Sequence, residues 1–582
     1  MLVLRIVLAF AVGTAMAATL AAGGARLRRW LRLPVRAGLQ FPVNLLLGSW
    51  ALAAVVLLLG LAHLWFPWVL VGAAVALALV GRWRPGWRWR GLLPPLVGAL
   101  VALPVALADP FFYDALVYHL GLPWQALLEH GLHPHPEDLF AAFPPLAQLL
   151  AAPPLALGLD RAPAVLHWWT FVAAGCVVGA FARALGAPRW SAAIAAAGLL
   201  LLPGDALVPG LPAAEGWAVA GVLAALALAL AGRLPKGGAL LAGLMVGIAS
   251  AARLQGVTWA VVVVAVVWGR ERRWGAGALT ATGWLVGSAP WWLKNLVLLG
   301  DPSAPLLWRR EGVQTLWRDA GALLPGTDPA EFARSLVRDL APHASYLAPL
   351  ALAALLALLA CRQRRHWLAA AAAVAGVLAW VLTGSLPRFL APALGVVLAL
   401  AAAAARTPLG RWVTALALAV TAVTGLVFEV GQLQRLGGVT VALRSAVAER
   451  TWIPDNPLPG FVAARGLPGD ARVLFVGEPR GFLFPRRFVA PSQHDVSPLR
   501  SILEASRGPA AAVAALRRRG FTHLLVNWGE LARLTPSYPV APWRNAAGLR
   551  RWNAFVTSLG PPQVAAGVVQ VFVLPSERPP AV

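Results

Sequence analysis

Fourteen apolar runs dominate residues 2–430, at roughly 2–22, 41–62, 66–81, 91–108, 164–182, 190–204, 214–231, 238–252, 256–269, 275–291, 345–361, 367–383, 389–405 and 412–430. Most approach the ~20 residues a helix needs to cross a bilayer. A backbone in lipid must satisfy its own hydrogen bonds, so such runs are expected as helices. The chain therefore reads as a polytopic α-helical membrane protein of about 14 spans, with several short runs re-entrant rather than crossing. A content of 59% hydrophobic and 13% charged residues fits that class and excludes an ordinary soluble globule. The first run, Leu2 to Ala22, has only Arg5 near its start and leads into RLRRWLRLPVR, a stop-transfer pattern. A retained membrane helix is expected there rather than a cleaved signal peptide.

The linkers orient the spans. If Arg26–Arg36 is cytoplasmic, alternation makes 82–90, 183–189, 233–236, 270–273, 362–366 and 406–411 cytoplasmic too, and each carries at least two basic residues. The opposite linkers at 62–66 and 205–213 carry none. This is the positive-inside pattern of a cytoplasmic (inner) membrane protein, and it assigns 109–160, 291–344 and the C-terminal part to the outer face. Trp65, Trp68, Trp83, Trp87 and Trp89 flank span ends and are expected in an interfacial belt. The net charge of +25 is explained by these linkers, so membrane lipids are expected as partners and nucleic acid is not. Cys176 and Cys361 lie in predicted spans and form no disulfide framework or metal motif.

One polar island interrupts the apolar pattern, from Ala108 to Pro154. It collects Asp109, Asp114, Tyr118, His119, Glu129, His130, His133, His135, Glu137 and Asp138. A loop between spans has no structural need for so many titratable groups, which makes this stretch the candidate working site. Asp114 and Tyr118 are spaced i, i+4 and share a helix face with His119 beside them. A helix start near Tyr113 is expected after Asp109-Pro110, and Pro123 limits that helix to about two turns. A carboxylate at the membrane–water boundary can act as general base toward a hydroxyl; capping a juxtamembrane helix is the structural alternative. His130, His133 and His135 match no regular metal motif, so hydrogen-bonding loop histidines are expected, with a divalent metal as the alternative. Glu137 and Asp138 are candidates for the substrate pocket, against a solvated loop edge. Glu215, at the outer start of a span, is a candidate because an acid in the membrane is rarely idle.

From about Gly431 the composition turns polar. ARVLFVGE (471–478), THLLVNW (522–528) and GVVQVFVLP (567–575) read as buried strands. SILEASRG (501–508) and AAVAALRRRG (511–520) read as helices, the second ending at Gly520. An extracytoplasmic α/β domain over 431–582 is expected, following a membrane domain over 1–430. Gly477 follows a strand without a dinucleotide-binding fingerprint, so nucleotide binding is not expected there.

The segment DALVYHLGLPWQALLEHGLHPHP, with FPPLAQLL at 143–150, resembles the first outer loop of the GT-C glycosyltransferases. These membrane enzymes transfer sugars from polyprenyl-phosphate donors and include protein mannosyltransferases and lipid A aminoarabinose transferases. In that superfamily the loop opens with an Asp-Glu pair, runs through a helix to a Gly-x-x-x-Pro turn and reaches a Lys-Pro-Pro-Leu segment. Asp114 matches the first acid, Gly131 to Pro134 or Pro136 the turn, and Phe143 to Leu146 the last segment. Ala115 stands in place of the second acid and Phe143 in place of the lysine, departing from the mannosyltransferase branch. YDALVYHL itself is similar to a large, mostly uncharacterised bacterial branch. SAPWWLKNLVLLGDPSAPL (288–306) resembles the second outer motif of that branch, and LPRFLAP (386–392) an Arg-aromatic segment opening a late span.

The resemblance implies a multi-span inverting glycosyltransferase that moves a sugar from a polyprenyl-phosphate donor to an acceptor hydroxyl on the outer face. It implies Asp114 as catalytic base. An anionic donor phosphate needs cations near the outer ends of spans, and Arg388, Lys294 and Arg253 are the candidates. Asp109, Tyr118, His119, Glu137, Asp138, Glu215 and Asn295 are the expected pocket residues. The acceptor, whether lipid, glycan or protein, is left open. The rival readings are a transporter or flippase of lipid-linked intermediates and a catalytically silent scaffold. A transporter would place charged or broken helices mid-membrane and often show an internal repeat, and no obvious repeat is present.

Overall fold

The computed structural model describes residues 2–82, 89–203, 207–230, 234, 237–308, 311–323, 327–443 and 453–575. The apolar runs form α1 (Leu2–Trp30), α2 (Gln40–Leu61), α3 (Pro67–Gly81), α4 (Trp89–Ala99) and a short continuation, α5 (Leu103–Ala106). The polar island contributes α6 (Gly121–Leu128) and α7 (Leu146–Ala156). Then follow α8 (Ala162–Leu185), α9 (Arg189–Gly198), α10 (Glu215–Leu230), α11 (Gly238–Ala252), α12 (Gly256–Glu271) and α13 (Trp274–Leu299). Two helices, α14 (Glu311–Asp319) and α15 (Pro329–Leu340), precede α16 (Ala344–Cys361), α17 (Arg364–Thr383), α18 (Ala391–Ala404) and α19 (Pro408–Arg435).

Each of the fourteen runs thus carries helix, but the span count is smaller by strict criteria. Among the described residues six helical segments are long and apolar enough to cross a membrane: 2–30, 37–61, 162–185, 329–361, 364–383 and 408–435. Several of the others are apolar helices of 10–17 residues, including α10 and α11, and both of those are almost wholly buried inside the bundle. Their short length is compatible with burial because protein, rather than lipid, surrounds their ends. The protein is a multi-pass membrane protein.

Small residues bring the central helices together. A Cβ on Gly243 or Gly247 of α11 would collide with the carbonyl oxygens of Thr280 and Trp284 on α13. Reciprocally, a Cβ on Gly283 or Gly287 would meet those of Leu240 and Leu244. This two-sided small-xxx-small seam lets the two backbones touch, as helix association in lipid favours. Trp65 departs from its expected interfacial place: it is buried, and its indole donates to the Val56 carbonyl at 2.9 Å. Trp68 is 75% exposed, as an interfacial ring would be. Trp83 and Trp87 lie outside the described residues, as do residues 83–88 of the linker 82–90 and Arg233, Pro235 and Lys236 of the linker 233–236.

The C-terminal part adds α20 (Leu458–Ala463), β1 (Arg472–Val476), β2 (Arg487–Val489), α21 (Pro498–Ala505), α22 (Pro509–Arg518), β3 (His523–Asn527), α23 (Trp528–Leu534), α24 (Ala546–Ser558), β4 (Val564–Ala566) and β5 (Val569–Val573). The sheet order is β2-β1-β3-β5-β4, with β1 parallel to β2 and β3, and β5 antiparallel to β3 and β4. Gly520 follows α22 with φ +82°, the left-handed stop its position predicts. Alternate strand residues serve two cores. Leu474, Val476, Leu524 and Val526 pack with α21, α22 and α24. Val473, Phe475, Leu525 and Val571 pack with Ala115, Leu116 and Leu120 of the polar island. The sheet is therefore covered on both faces, and one of its covers is the island itself.

Substituting Gly283→Val should separate α11 from α13 and cost about 1–3 kcal/mol or more through overpacking against backbone. A lowered thermal midpoint of the detergent-solubilised protein, relative to Ala278→Val on the same helix, is the expected result.

Candidate functional site

The island enters the site through a π-type turn over Ala115–His119, in which Leu120 N–H donates to the Ala115 carbonyl at 2.9 Å. Such turns inside helices recur at functional sites because they re-aim side chains. The helix then restarts at Gly121, so Pro123 lies in the first turn of α6 instead of ending a helix. Proline is tolerated in a first turn, where its missing N–H is not needed. Hydrogen bonds fasten this loop to the C-terminal layer. Phe482 N–H reaches the Leu116 carbonyl at 3.2 Å and Trp124 Nε1 the Phe484 carbonyl at 2.8 Å. Gln125 Nε2 donates to the Phe488 carbonyl at 3.0 Å, and Leu139 N–H to Asp495 Oδ2 at 2.7 Å.

Four charged side chains from four separate elements meet beside this loop. Arg388 Nη2 lies 2.9 Å from Asp114 Oδ2, and Arg388 Nε lies 3.4 Å from Glu215 Oε1. Arg253 Nη1 sits 3.1 Å from the same Glu215 oxygen. Tyr118 donates to Asp114 Oδ2 at 3.1 Å, realising the i, i+4 pairing. Each residue is placed by a local device. Arg253 ends α11 in an extended conformation, at a tight reversal into α12 that Gly256 permits by lying against Ser250. Arg388 belongs to a single 3₁₀ turn, Pro387–Phe389, entered by a Leu386 whose carbonyl accepts from Trp380 Nε1 at 2.7 Å. Glu215 opens α10 and takes the Ala214 N–H on Oε2 at 3.0 Å; a carboxylate there also meets the positive end of the helix dipole. The rings of Phe389 and Phe112 lie under the guanidinium groups, Arg253 at 4.7 Å from Phe389 and Arg388 at 5.3 Å from Phe112.

A cavity of about 340 Å³ opens at this cluster. Asp114, Tyr118, His119, Arg253 and Arg388 line it, together with Gln255, Trp317, Asp319, Gln493 and His494, which the sequence does not single out. Two apolar cavities continue from it. One of about 270 Å³ shares Leu254, Gln255 and Trp317 with the first. The other, about 640 Å³, runs between α12 and α13 and joins at Val257. A polar chamber thus leads into an apolar groove on the bundle's flank.

The remaining candidate residues are held elsewhere. Asp109 is buried against Arg161 at 2.9 Å, and Arg161 also donates to the Leu107 carbonyl at 2.8 Å. Lys294 is buried and donates to the Ala141 and Phe143 carbonyls, the latter at 2.9 Å. Asn295 Nδ2 reaches the Ala142 and Ala304 carbonyls at 2.9 and 2.6 Å. Both residues, with Trp291 Nε1 on the Ala142 carbonyl at 2.9 Å, staple the turn at 139–143. Asp138 caps that same turn through Phe140 N–H at 2.9 Å. Burial beside Asp495 pushes the Asp138 carboxyl up to about 8. His130 stacks on Phe66 at 4.7 Å, and His133 lies tilted against His63 at 4.6 Å. His135 lies 3.6 Å from Glu129 and 3.5 Å from Glu137. Among the described residues no group of three or more His, Cys, Asp or Glu is disposed to hold a metal ion.

A second buried ion cluster backs the island. Tyr113, next to Asp114, donates to Glu530 Oε1 at 3.0 Å. Arg533 pairs with Glu530 at 2.6 Å, and Arg480 with Glu478 at 2.7 Å. Asn527 Nδ2 donates to Glu478 Oε2 at 2.7 Å. Burial, with Glu530 and Glu478 nearby, raises the Tyr113 phenol well above its ordinary value, so it remains a donor.

No protein-family model matches the chain, and no curated protein matches it by sequence. Solved structures do. The chain is similar to ArnT from Cupriavidus metallidurans bound to undecaprenyl phosphate, at 15% identity and a TM-score of 0.51, over 84% of this chain and 98% of that one. It is similar to the apo form of the same protein at 16% identity and a TM-score of 0.50, over 84% and 97% of the two chains. ArnT belongs to the GT-C superfamily. The chain has the GT-C fold. The likeness of fold covers 84% of this chain.

The loop titrations give a pH signature. Burial lowers the His135 imidazole, but Glu129 and Glu137 outweigh it and lift the group to about 9. That contribution is complete below about 6.5 and is lost as pH rises through 9. Asp138 acts in the same direction, since its folded form keeps a proton up to about 8. Hydrogen exchange of residues 129–143 should accelerate between pH 7 and pH 9.5, and His135→Gln should remove much of that acceleration. An exchange rate independent of pH, after correction for intrinsic chemistry, would refute the assignment.

Proposed function

We propose that the protein is a glycosyltransferase of the GT-C type, moving a sugar from a polyprenyl-phosphate donor to an acceptor hydroxyl. The observation that carries this reading is the Arg253–Glu215–Arg388–Asp114 chain, set where a polar chamber meets an apolar groove. A lipid-linked sugar phosphate has the same division: an anionic, hydroxyl-rich head and a long hydrocarbon tail. The undecaprenyl phosphate bound to ArnT supports the same class of donor here.

In this reading Arg253 and Arg388 bind the donor phosphate, with Glu215 holding both guanidinium groups in place. Asp114 is the general base. Tyr118 and Arg388 both engage Oδ2, leaving Oδ1, which has no hydrogen bond among the described residues, to receive the proton. The acceptor oxygen gives its proton to Asp114 and forms the new bond to the anomeric carbon. The bond from that carbon to the phosphate oxygen breaks, its electron pair stays on polyprenyl phosphate, and configuration at the carbon inverts. Lys294 and Asn295 support the wall of the chamber by stapling residues 139–143, and Asp109 anchors the island through Arg161. The positive-inside linkers support an outward-facing chamber in the cytoplasmic membrane, with residues 431–582 as an extracytoplasmic domain over 1–430.

Asp114→Asn should lower sugar transfer about 10²–10⁴-fold, the usual worth of a positioned base. Mass spectrometry of lipids co-purifying with that variant should reveal a polyprenyl-phosphate sugar that wild type turns over. If wild type and variant carry only ordinary phospholipids and neither binds added undecaprenyl phosphate, the proposal fails. A variant with undiminished cellular activity would favour a scaffold.

A further inference from the structure

The chamber has two chemically different sides. Toward α11 and α18 it is lined by Arg253 and Arg388, each committed to a carboxylate. On the other side it is lined by Gln493 and His494 of the C-terminal layer and by Trp317 and Asp319 of α14. Gln493 and His494 are 7% and 1% exposed, and Gln493 Oε1 and His494 Nδ1 have no hydrogen-bond partner among the described residues. Both ring nitrogens of His119, which also lines the chamber, are likewise unpartnered. Buried polar atoms are almost always satisfied, so three such side chains around one chamber point to a polar ligand that satisfies them.

Their hydrogen-bonding capacity is specific. His494 Nε2 lies 3.3 Å from Gln493 Nε2 and 3.9 Å from Asp319 Oδ2, which leaves Nδ1 of the ring and Oε1 of the amide without a partner among the described residues. Burial keeps the imidazole neutral, holding it down at about 4. The pair therefore offers two neutral hydrogen-bonding atoms, a ring nitrogen and an amide oxygen. That suits hydroxyl groups, each of which can give and take a hydrogen bond. The wall is also rigid. Ser492 Oγ and Leu139 N–H both bind Asp495 Oδ2, at 2.5 and 2.7 Å, pinning the turn that carries the pair to the 139–142 turn. Tyr538 fixes Asp319 at 2.7 Å, and Gly312 lies against the His494 carbonyl, where a side chain would collide.

We infer that Gln493 and His494, with Trp317 and Asp319, form the wall that holds the sugar of the donor and select one without an acidic group. The inference rests on the lipid-linked donor reading. A sugar joined by one phosphate ester to a head group at Arg253 and Arg388 has to lie within the same chamber, next to Asp114. This wall supplies polar lining for it beside Tyr118 and His119, with the Trp317 ring as an apolar surface for a sugar face. Among the described residues that line the chamber, Arg253 and Arg388 are the cations, and Asp319 is an anion. A carboxylated sugar would meet repulsion there, whereas a neutral or amine-bearing one would not.

The test uses the full-length protein in the Asp114→Asn background, alone and with Gln493→Ala, His494→Ala or both. The readout is the ratio of sugar-bearing to bare polyprenyl phosphate among co-purified lipids, with undecaprenyl phosphate titrated into each preparation as the binding control. The double substitution should lower the ratio about tenfold or more, leave undecaprenyl phosphate affinity within about twofold, and His494→Asn should recover part of the loss. The parent lipid should carry a sugar without an acidic group. An unchanged ratio, or an acidic sugar in the parent, overturns the inference and leaves the donor reading intact. Loss of both lipids from the double variant also overturns it, since the pair would then serve the phosphate side or the fold. A parent that holds neither lipid and binds no undecaprenyl phosphate overturns both.

Discussion

Two arginines and two carboxylates, brought from four elements to the edge of an apolar bundle, are the constraint to which the rest of the structure answers. An isolated charge buried there would cost several kcal/mol, and none of these four is isolated. Glu215 is 3% exposed and is tolerated because Arg253 and Arg388 both contact it while α10 presents its N-terminus. Asp114 closes the chain on the Arg388 side. With two positive and two negative charges linked in a chain, the cluster is neutral in sum and ordered before any ligand arrives. Such preorganisation is what electrostatic stabilisation of a departing phosphate requires.

That order depends on the C-terminal layer as much as on the membrane helices. Consecutive residues Tyr113 and Asp114 serve opposite neighbours: Tyr113 enters the ion cluster at the ends of β1 and β3, while Asp114 turns to Arg388. From the very next residue, Ala115, the π-type turn feeds Leu116 and Leu120 into the core under the sheet. The loop that carries the candidate base is therefore clamped between two packed bodies rather than hanging from one. Loops gain precision for chemistry only when a scaffold fixes them in this way.

What the sequence revealed and what it concealed follow from the range of the interactions. Fourteen helical runs, the Asp114–Tyr118 pair and the stop at Gly520 are local patterns of period 3.6 or single-residue geometry, and they were legible. The strands Arg487–Val489 and Val564–Ala566 are three residues each, too short for any periodicity to declare itself. Glu215 was legible as an anomaly, since an acid opening a span demands a partner; that its partners are Arg253 and Arg388 was not. Asp109 and Lys294 carried the same signal of charge near the membrane, yet their partners, Arg161 and the carbonyls of 141 and 143, lie about 50 and 150 residues away. A charged residue at a membrane boundary announces a partner without saying whether that partner is substrate or protein.

Gln493 and His494 show the opposite limit. They stand in a short polar run, Ser492 to Asp495, with no motif and no periodicity, and only the packing of the sheet onto the island carries them to the chamber. Their unpartnered atoms became visible once burial and hydrogen bonding were known together, because burial alone describes an ordinary core residue and a missing partner alone describes an ordinary surface one. The Asp114 side of the chamber is built from the membrane helices and their loops, whose architecture the GT-C fold supplies. The Gln493 side comes from the turn between β2 and α21 in the C-terminal layer. In the proposed reading, the phosphate and the sugar are thus held by different parts of the fold, the bundle and the C-terminal turn.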